Sequence, residues 1–304
     1  MKNNLSLLHF CSLILCLSLI SCTSINQSTQ IPESISADDK NTTTQPLPEV
    51  KRIVTLTSLT TDIIYQLDST KLVGIPGSRL LQQDPRFTNL PTVSQGRTPP
   101  NLEKIIALKP DLVIGARGFS DRTLTKLNQL GIKTISTEVN SWQALTEVTK
   151  TLAEAIFADP QPLLASYKTY IPQNLKPQAS VLVLVSRQPM LAPNKNSWTG
   201  DLLQQFQVKN VTAQLQANSE FGGYVTLSPE KLLQYQPEII LLVDPGQQDI
   251  AAQLKQEPFW QELPATQRDR IYIFDYYGLV NPGSLAKIQA TCQKLSKILV
   301  NSAN

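Results

Sequence analysis

Arginines and aromatic residues recur just beyond the short apolar runs of this chain. Arg117 and Phe119 follow Leu112-Val-Ile, Ser186 and Arg187 follow Val181-Leu-Val-Leu-Val, and Tyr276 and Tyr277 follow Arg270-Ile-Tyr-Ile-Phe. Thr57 and Ser58 stand likewise after Ile53-Val-Thr-Leu. Arg79, Gln95 and Arg97 fall in loop-like stretches of the first half, and Trp198, Phe221 and Tyr224 in those of the second. A guanidinium offers a planar donor fork that matches carboxylates, catecholates or hydroxamates, and aromatic rings pack on flat ligand surfaces. Such a set suits the capture of a large anionic or amphipathic chelate.

Catalytic chemistry has little to draw on. The single histidine, His9, lies in an N-terminal stretch that reads as an export signal, so the mature chain has none. That excludes Ser-His-Asp and Cys-His catalysis, histidine-ligated zinc, the facial iron triad and imidazole-ligated haem. No Gly-x-Ser-x-Gly, phosphate loop or Gly-x-Gly-x-x-Gly occurs. The residues point to binding, with no enzyme activity, no resident metal and no cofactor.

These side chains need a scaffold, and composition supplies one. With 304 residues, 41% apolar and 17% charged, the chain can bury real cores and is neither disordered nor a disulfide miniprotein. A net charge of +3 lacks the dense basic stripe of a nucleic-acid binder, so no nucleic-acid partner is expected.

Apolar strand-like runs alternate with helical segments from Lys51 onward, the pattern of parallel sheets covered by helices on both faces. In such α/β sheets ligands bind at the carboxyl ends of the strands, where the residues named above fall. Trp142 to Phe157 carries a helical stripe through Leu145, Val148, Leu152, Ala155 and Ile156, and the α/β pattern restarts after Pro177. This predicts an N-terminal lobe over 51–141, a connecting helix region over 142–176, and a C-terminal lobe with a final helix over 177–304. Trp142 and Trp260 are expected to serve packing, as is Cys292.

An internal echo supports two lobes. Asn101-Leu-Glu-Lys-Ile-Ile-Ala-Leu-Lys-Pro-Asp-Leu-Val-Ile aligns with Ser228-Pro-Glu-Lys-Leu-Leu-Gln-Tyr-Gln-Pro-Glu-Ile-Ile-Leu at an offset of 127, and Ile53 to Ser58 with Val181 to Ser186 at 128. Glu103 and Glu230 occupy matching places in the first turn of a capped helix, where a carboxylate stabilises the helix by about 0.3–1 kcal/mol and stays open to a partner.

Ahead of the lobes, residues 1–22 combine Lys2, the apolar run Leu5 to Ile20 and Leu19-Ile20-Ser21-Cys22, which reads as a signal peptide. The last four residues resemble the lipobox of bacterial lipoproteins, which implies lipidation at Cys22. Thr23 rather than Asp follows that cysteine, which does not favour retention in a Gram-negative inner membrane. Residues 23–50 lack apolar periodicity and are expected to form a disordered tether.

Arg52-Ile-Val-Thr-Leu-Thr-Ser, the Asn101 segment and Leu227-Ser-Pro-Glu-Lys-Leu-Leu resemble the iron-siderophore and cobalamin substrate-binding proteins of ABC importers over about residues 51–300. The resemblance implies two Rossmann-like α/β lobes joined by a long connecting helix, with the ligand cleft between them. It further implies a monomer, lipid-anchored at the periplasmic face of a bacterial membrane. Such a protein serves an ABC permease and ATPase, with Glu103 and Glu230 docking on the permease. Arg79, Arg97, Arg117 and Arg187 favour a ferric siderophore as ligand. Cobalamin is the alternative, because Leu108-Lys-Pro-Asp-Leu-Val-Ile with Arg117-Gly118 beyond it is similar to the cobalamin-binding members. A sensor component uncoupled from import would share the same fold and pocket.

Overall fold

The computed structural model describes residues 49–96, 98–173, 179–216, 219, 222–244 and 250–301. Cys22, the export segment and nearly all of the expected tether lie outside the described residues. The N-terminal lobe runs β1 (Ile53–Thr55), α1 (Ser58–Asp68), β2 (Leu72–Gly74), α2 (Arg79–Gln82), α3 (Leu102–Ala107), β3 (Leu112–Ala116), α4 (Asp121–Gln129) and β4 (Lys133–Thr137). Helices α5 (Trp142–Ala155) and α6 (Gln161–Lys168) connect it to the C-terminal lobe. That lobe opens with β5 (Ser180–Leu184), β6 (Ser186–Arg187), β7 (Met190–Pro193), α7 (Trp198–Gln205), β8 (Lys209–Asn210) and β9 (Tyr224–Leu227). It continues with α8 (Pro229–Tyr235), β10 (Ile239–Asp244), α9 (Ile250–Lys255), α10 (Pro264–Gln267), β11 (Ile271–Asp275), α11 (Tyr276–Leu279) and α12 (Leu285–Asn301). No helix among the described residues is long and apolar enough to cross a membrane.

Each lobe is built on a parallel four-stranded sheet, ordered β2-β1-β3-β4 in the first and β11-β10-β5-β8 in the second. The two-residue period of a strand divides each sheet between two cores. Ile53, Leu112 and Ile114 face one core and Val54 and Val113 another, while Val181, Val183, Ile239 and Leu241 face the first core and Leu182, Leu184, Ile240 and Leu242 a third. The first core is common to both lobes. It also takes Ile63 and Ile64 of α1, Leu145 and Leu152 of α5, Leu202 and Leu203 of α7, and Ile288, Cys292 and Leu295 of α12. Each fully buried Leu or Ile contributes about 1.5–3 kcal/mol. Val50 also belongs to this core, at 4% exposure.

The sequence echo is an echo of backbone geometry. Asn101 and Ser228 cap α3 and α8, their side chains accepting from the backbone N–H of Lys104 and Lys231 at 2.9 and 3.3 Å. Just beyond the two helices Lys109 and Gln236 stand in the left-handed region, at φ 48° and 46°. The prolines that follow, Pro110 and Pro237, cannot continue a helix and disfavour helical backbone in the residue before them. The acids after them close equivalent braces. Asp111 accepts from the N–H of Arg52 at 2.9 Å, and Glu238 from the N–H of Ser180 at 2.8 Å. Each brace ties the helix–proline–strand unit to the first strand of its own lobe.

Two features add to the sequence expectation. The C-terminal lobe carries a second, antiparallel sheet ordered β6-β7-β9, in which Met190 pairs with Leu227 and Pro193 with Tyr224. In addition, α5 is not the sole link between the lobes. Asp62 on α1 is 1% exposed, and its carboxylate accepts from the N–H of Leu285 at the start of α12 at 2.8 Å. The Arg86 guanidinium completes the site, pairing with Asp62 at 2.9 Å and with Asp84 at 2.7 Å while lying over Phe87. The final helix of the second lobe is therefore pinned to the first.

Candidate functional site

In the first sheet the chain runs from β1 to β2 on one side and then returns to β3 on the other, so a crevice opens at the carboxyl ends of β1 and β3. Thr57, Ser58 and Thr60 enter it from the first turn of α1, and Arg117 and Phe119 from the loop after β3. Tyr276 and Tyr277 close it from the C-terminal lobe, around a volume of about 790 Å³. A recess of about 450 Å³, lined by Ser197, Trp198, Gly223 and Tyr224, adjoins it, and the two parts share Glu138, Val139, Tyr276, Asn281 and Pro282.

Local geometry explains each placement. Thr57 caps α1: its hydroxyl accepts from the N–H of Thr60 at 3.2 Å and meets the Thr60 hydroxyl at 2.7 Å. Asp275 accepts from the N–H of Tyr277 at 3.0 Å, and the two tyrosine rings meet edge to face at 5.4 Å. Gly283 stands at φ +67°, and a Cβ there would press on the Tyr277 ring at 2.6 Å, so only glycine leaves that ring in place. Phe119 is 64% exposed, an apolar face presented to the cleft rather than to the core. Arg117 lies 3.3 Å from Glu138, which extends from the end of β4.

The structure does not gather the four arginines. Arg79 is an exposed first residue of α2; its neighbour Ser78 lines the cleft and Arg79 does not. Arg187 is held on β6 by Glu257 at 2.7 Å and lies off the lining. Arg97 and Phe221 lie outside the described residues. Gln95 is exposed and also off the lining, with its backbone tied to the Thr98 hydroxyl at 2.7 Å. Trp198 sits in a helix start instead of a loop. It is 4% exposed, stacked on Trp142 at 6.2 Å and donating its indole N–H to the Gly278 carbonyl at 2.9 Å, so it forms a fixed floor to the recess. Tyr224 opens β9, where burial pushes its phenol up to about 12 against a hydrogen bond with Thr199.

Glu138, Asn281, Pro282 and Gly283 were not among the candidates. The Asn-Pro-Gly turn after Tyr276-Tyr277 was the available signal for the last three. Cys292 is fully buried and its thiol is pushed up to about 12 by burial, which makes it a packing residue. Among the described residues no cluster of three His, Cys, Asp or Glu side chains is placed to hold a metal ion.

Glu103 and Glu230 stand exposed at the two helix starts, away from the cleft lining. A hydrogen bond from the Ser228 hydroxyl holds the Glu230 carboxyl below its ordinary range.

The family model described as periplasmic binding protein matches residues 53–277. YvrC of Bacillus subtilis, described as an uncharacterized ABC transporter substrate-binding lipoprotein, is 25% identical over 248 residues, covering 75% of this chain and 73% of its own. The vitamin B12-binding protein of Vibrio cholerae is 27% identical over 268 residues, covering 83% of this chain and 91% of its own. The crystal structure of an ABC transporter substrate-binding protein from Listeria monocytogenes superposes with a TM-score of 0.68 at 22% identity, over 83% of this chain and 100% of that one. The paired α/β lobes, the cleft at their strand ends and the match over most of the chain agree: the chain belongs to the periplasmic binding protein family and is a substrate-binding protein of an ABC transporter, not an enzyme.

Proposed function

We propose that this chain captures a bulky metal–organic complex, of the ferric-siderophore or the corrinoid class, and hands it intact to a membrane permease coupled to an ATPase. The observation that carries this reading is the cleft of about 790 Å³, within the roughly 300–1,000 Å³ typical of ligand pockets. Hydroxyls of Thr57, Ser58 and Thr60 line one wall, while Phe119, Tyr276 and Tyr277 offer apolar faces. The name of the Vibrio cholerae relative supports the corrinoid class, and the Leu-Ile-Ser-Cys segment together with the lipoprotein relative supports anchoring through Cys22 at the outer face of a bacterial membrane. The metal arrives inside its own chelate, so the protein needs no ligand set for it.

Glu103 and Glu230 are the docking points in this reading. They occupy equivalent, exposed positions, one on each lobe, which supports the reading that each lobe offers a carboxylate to the permease. Glu103→Ala combined with Glu230→Ala is expected to abolish uptake of the complex by cells while the purified variant binds it as wild type does. Uptake at the wild-type rate would remove the docking assignment.

A further inference from the structure

Charge is balanced among the described residues of the cleft lining. Among the described residues that line its two parts, Arg117 is the single cation and Glu138 the single anion, and the two face each other at 3.3 Å. The charges just behind the lining are also matched or occupied. Lys287 pairs with Asp275 at 2.6 Å beneath the tyrosines, and Asp121 accepts from the N–H of Gly118 at 2.9 Å in the Arg117 loop. The rest of the surface offers hydroxyls, amides and aromatic faces.

Glu138 occupies the junction of the two parts, because it lines both. A ligand filling the cleft therefore passes close to its carboxylate. Both partners of the pair are well exposed, at 71% and 51%, so the pair adds little stability. It does set the field at the mouth. Without Glu138, Arg117 would stand as an unopposed positive charge among the described lining residues; with Glu138, a polyanion gains from one of this pair what it loses to the other.

Resting on the reading of the cleft as the capture site for a metal–organic complex, we infer that Glu138 is a specificity-determining residue: by offsetting Arg117 it selects complexes of neutral or single positive charge over polyanionic ones. A corrinoid or a ferric trihydroxamate fits this class, and a ferric tris-catecholate, carrying three negative charges, does not.

The test is equilibrium binding of three probes to the full chain and to Glu138→Gln, namely cyanocobalamin, ferrioxamine B and a ferric tris-catecholate. Wild type is expected to bind one of the first two at least tenfold more tightly than the third. Glu138→Gln should raise the affinity for the tris-catecholate relative to the preferred probe by roughly threefold to tenfold at low salt, with the gain shrinking in about 1 M salt. Arg117→Gln should move that ratio in the opposite direction. Preference of the wild type for the tris-catecholate, or a ratio unmoved by both variants, overturns the inference while leaving capture intact. Binding of none of the three by wild type overturns the capture reading and this inference with it.

Discussion

Arg86 shows how one side chain joins several functions of the fold. Its guanidinium pairs with Asp84 and with the buried Asp62, and lies over the rings of Tyr65 and Phe87 at 5.2 and 4.9 Å. The hydrogen bonds from Arg86 hold the Asp84 carboxyl below its ordinary value of 3.8. A carboxyl lowered in the folded state stabilises the fold above its unfolded value, and that contribution is lost as pH falls through the folded value. The urea midpoint of wild type is therefore expected to drop more steeply below about pH 4 than that of Asp84→Asn, with near-parallel behaviour between about pH 5 and 7. Superimposable acid limbs would show that the pair has no part in acid stability. At this same scale the sequence was legible only in part. Thr57, Ser58, Arg117, Phe119, Tyr276 and Tyr277 do meet around one cleft, because each follows a strand of a parallel sheet. Arg79 and Arg187 do not join them, since loop register and the Glu257 pair decide where a long side chain points, and neither is visible in residue spacing.

Elements are where the two copies speak most plainly. The caps Asn101 and Ser228, the left-handed Lys109 and Gln236, and the acids Asp111 and Glu238 recur because the same helix–proline–strand unit was used twice. Local chemistry of this kind is readable from residue order alone. The antiparallel β6-β7-β9 sheet was not, since its strands are two to four residues long and carry no period strong enough to separate from loop. Nor was the contact of Asp62 with Leu285, which joins residues 223 positions apart. That contact carries a prediction. Asp62→Ala leaves the buried N–H of Leu285 without its acceptor while Arg86 keeps Asp84, so it should lower unfolding free energy by about 1–3 kcal/mol in urea titrations. Asp62→Asn, which keeps an acceptor for that N–H, should cost less than Asp62→Ala. A loss within about 0.5 kcal/mol, the range of a surface substitution, would mean that α12 is not held by this carboxylate.

Across the whole molecule, the two sheets turn one face each toward a common core filled by α1, α5, α7 and α12. The lobes share this core and are tied by both α5 and the Asp62 pin. The cleft offers hydroxyls and aromatic rings to an occupant, and the central claim is capture of a bulky complex with every covalent bond left intact. The most direct measurement is a tryptophan-fluorescence titration of the full chain with cyanocobalamin, ferrioxamine B and a ferric tris-catecholate, followed by recovery of the ligand. Trp198 floors the recess and stacks on Trp142, so an occupant of the cleft should perturb the emission. The account predicts a saturable change at one molecule per chain for a member of the panel, with that molecule recovered chemically unaltered. No saturable response to any of them, or recovery of a converted product, would contradict it.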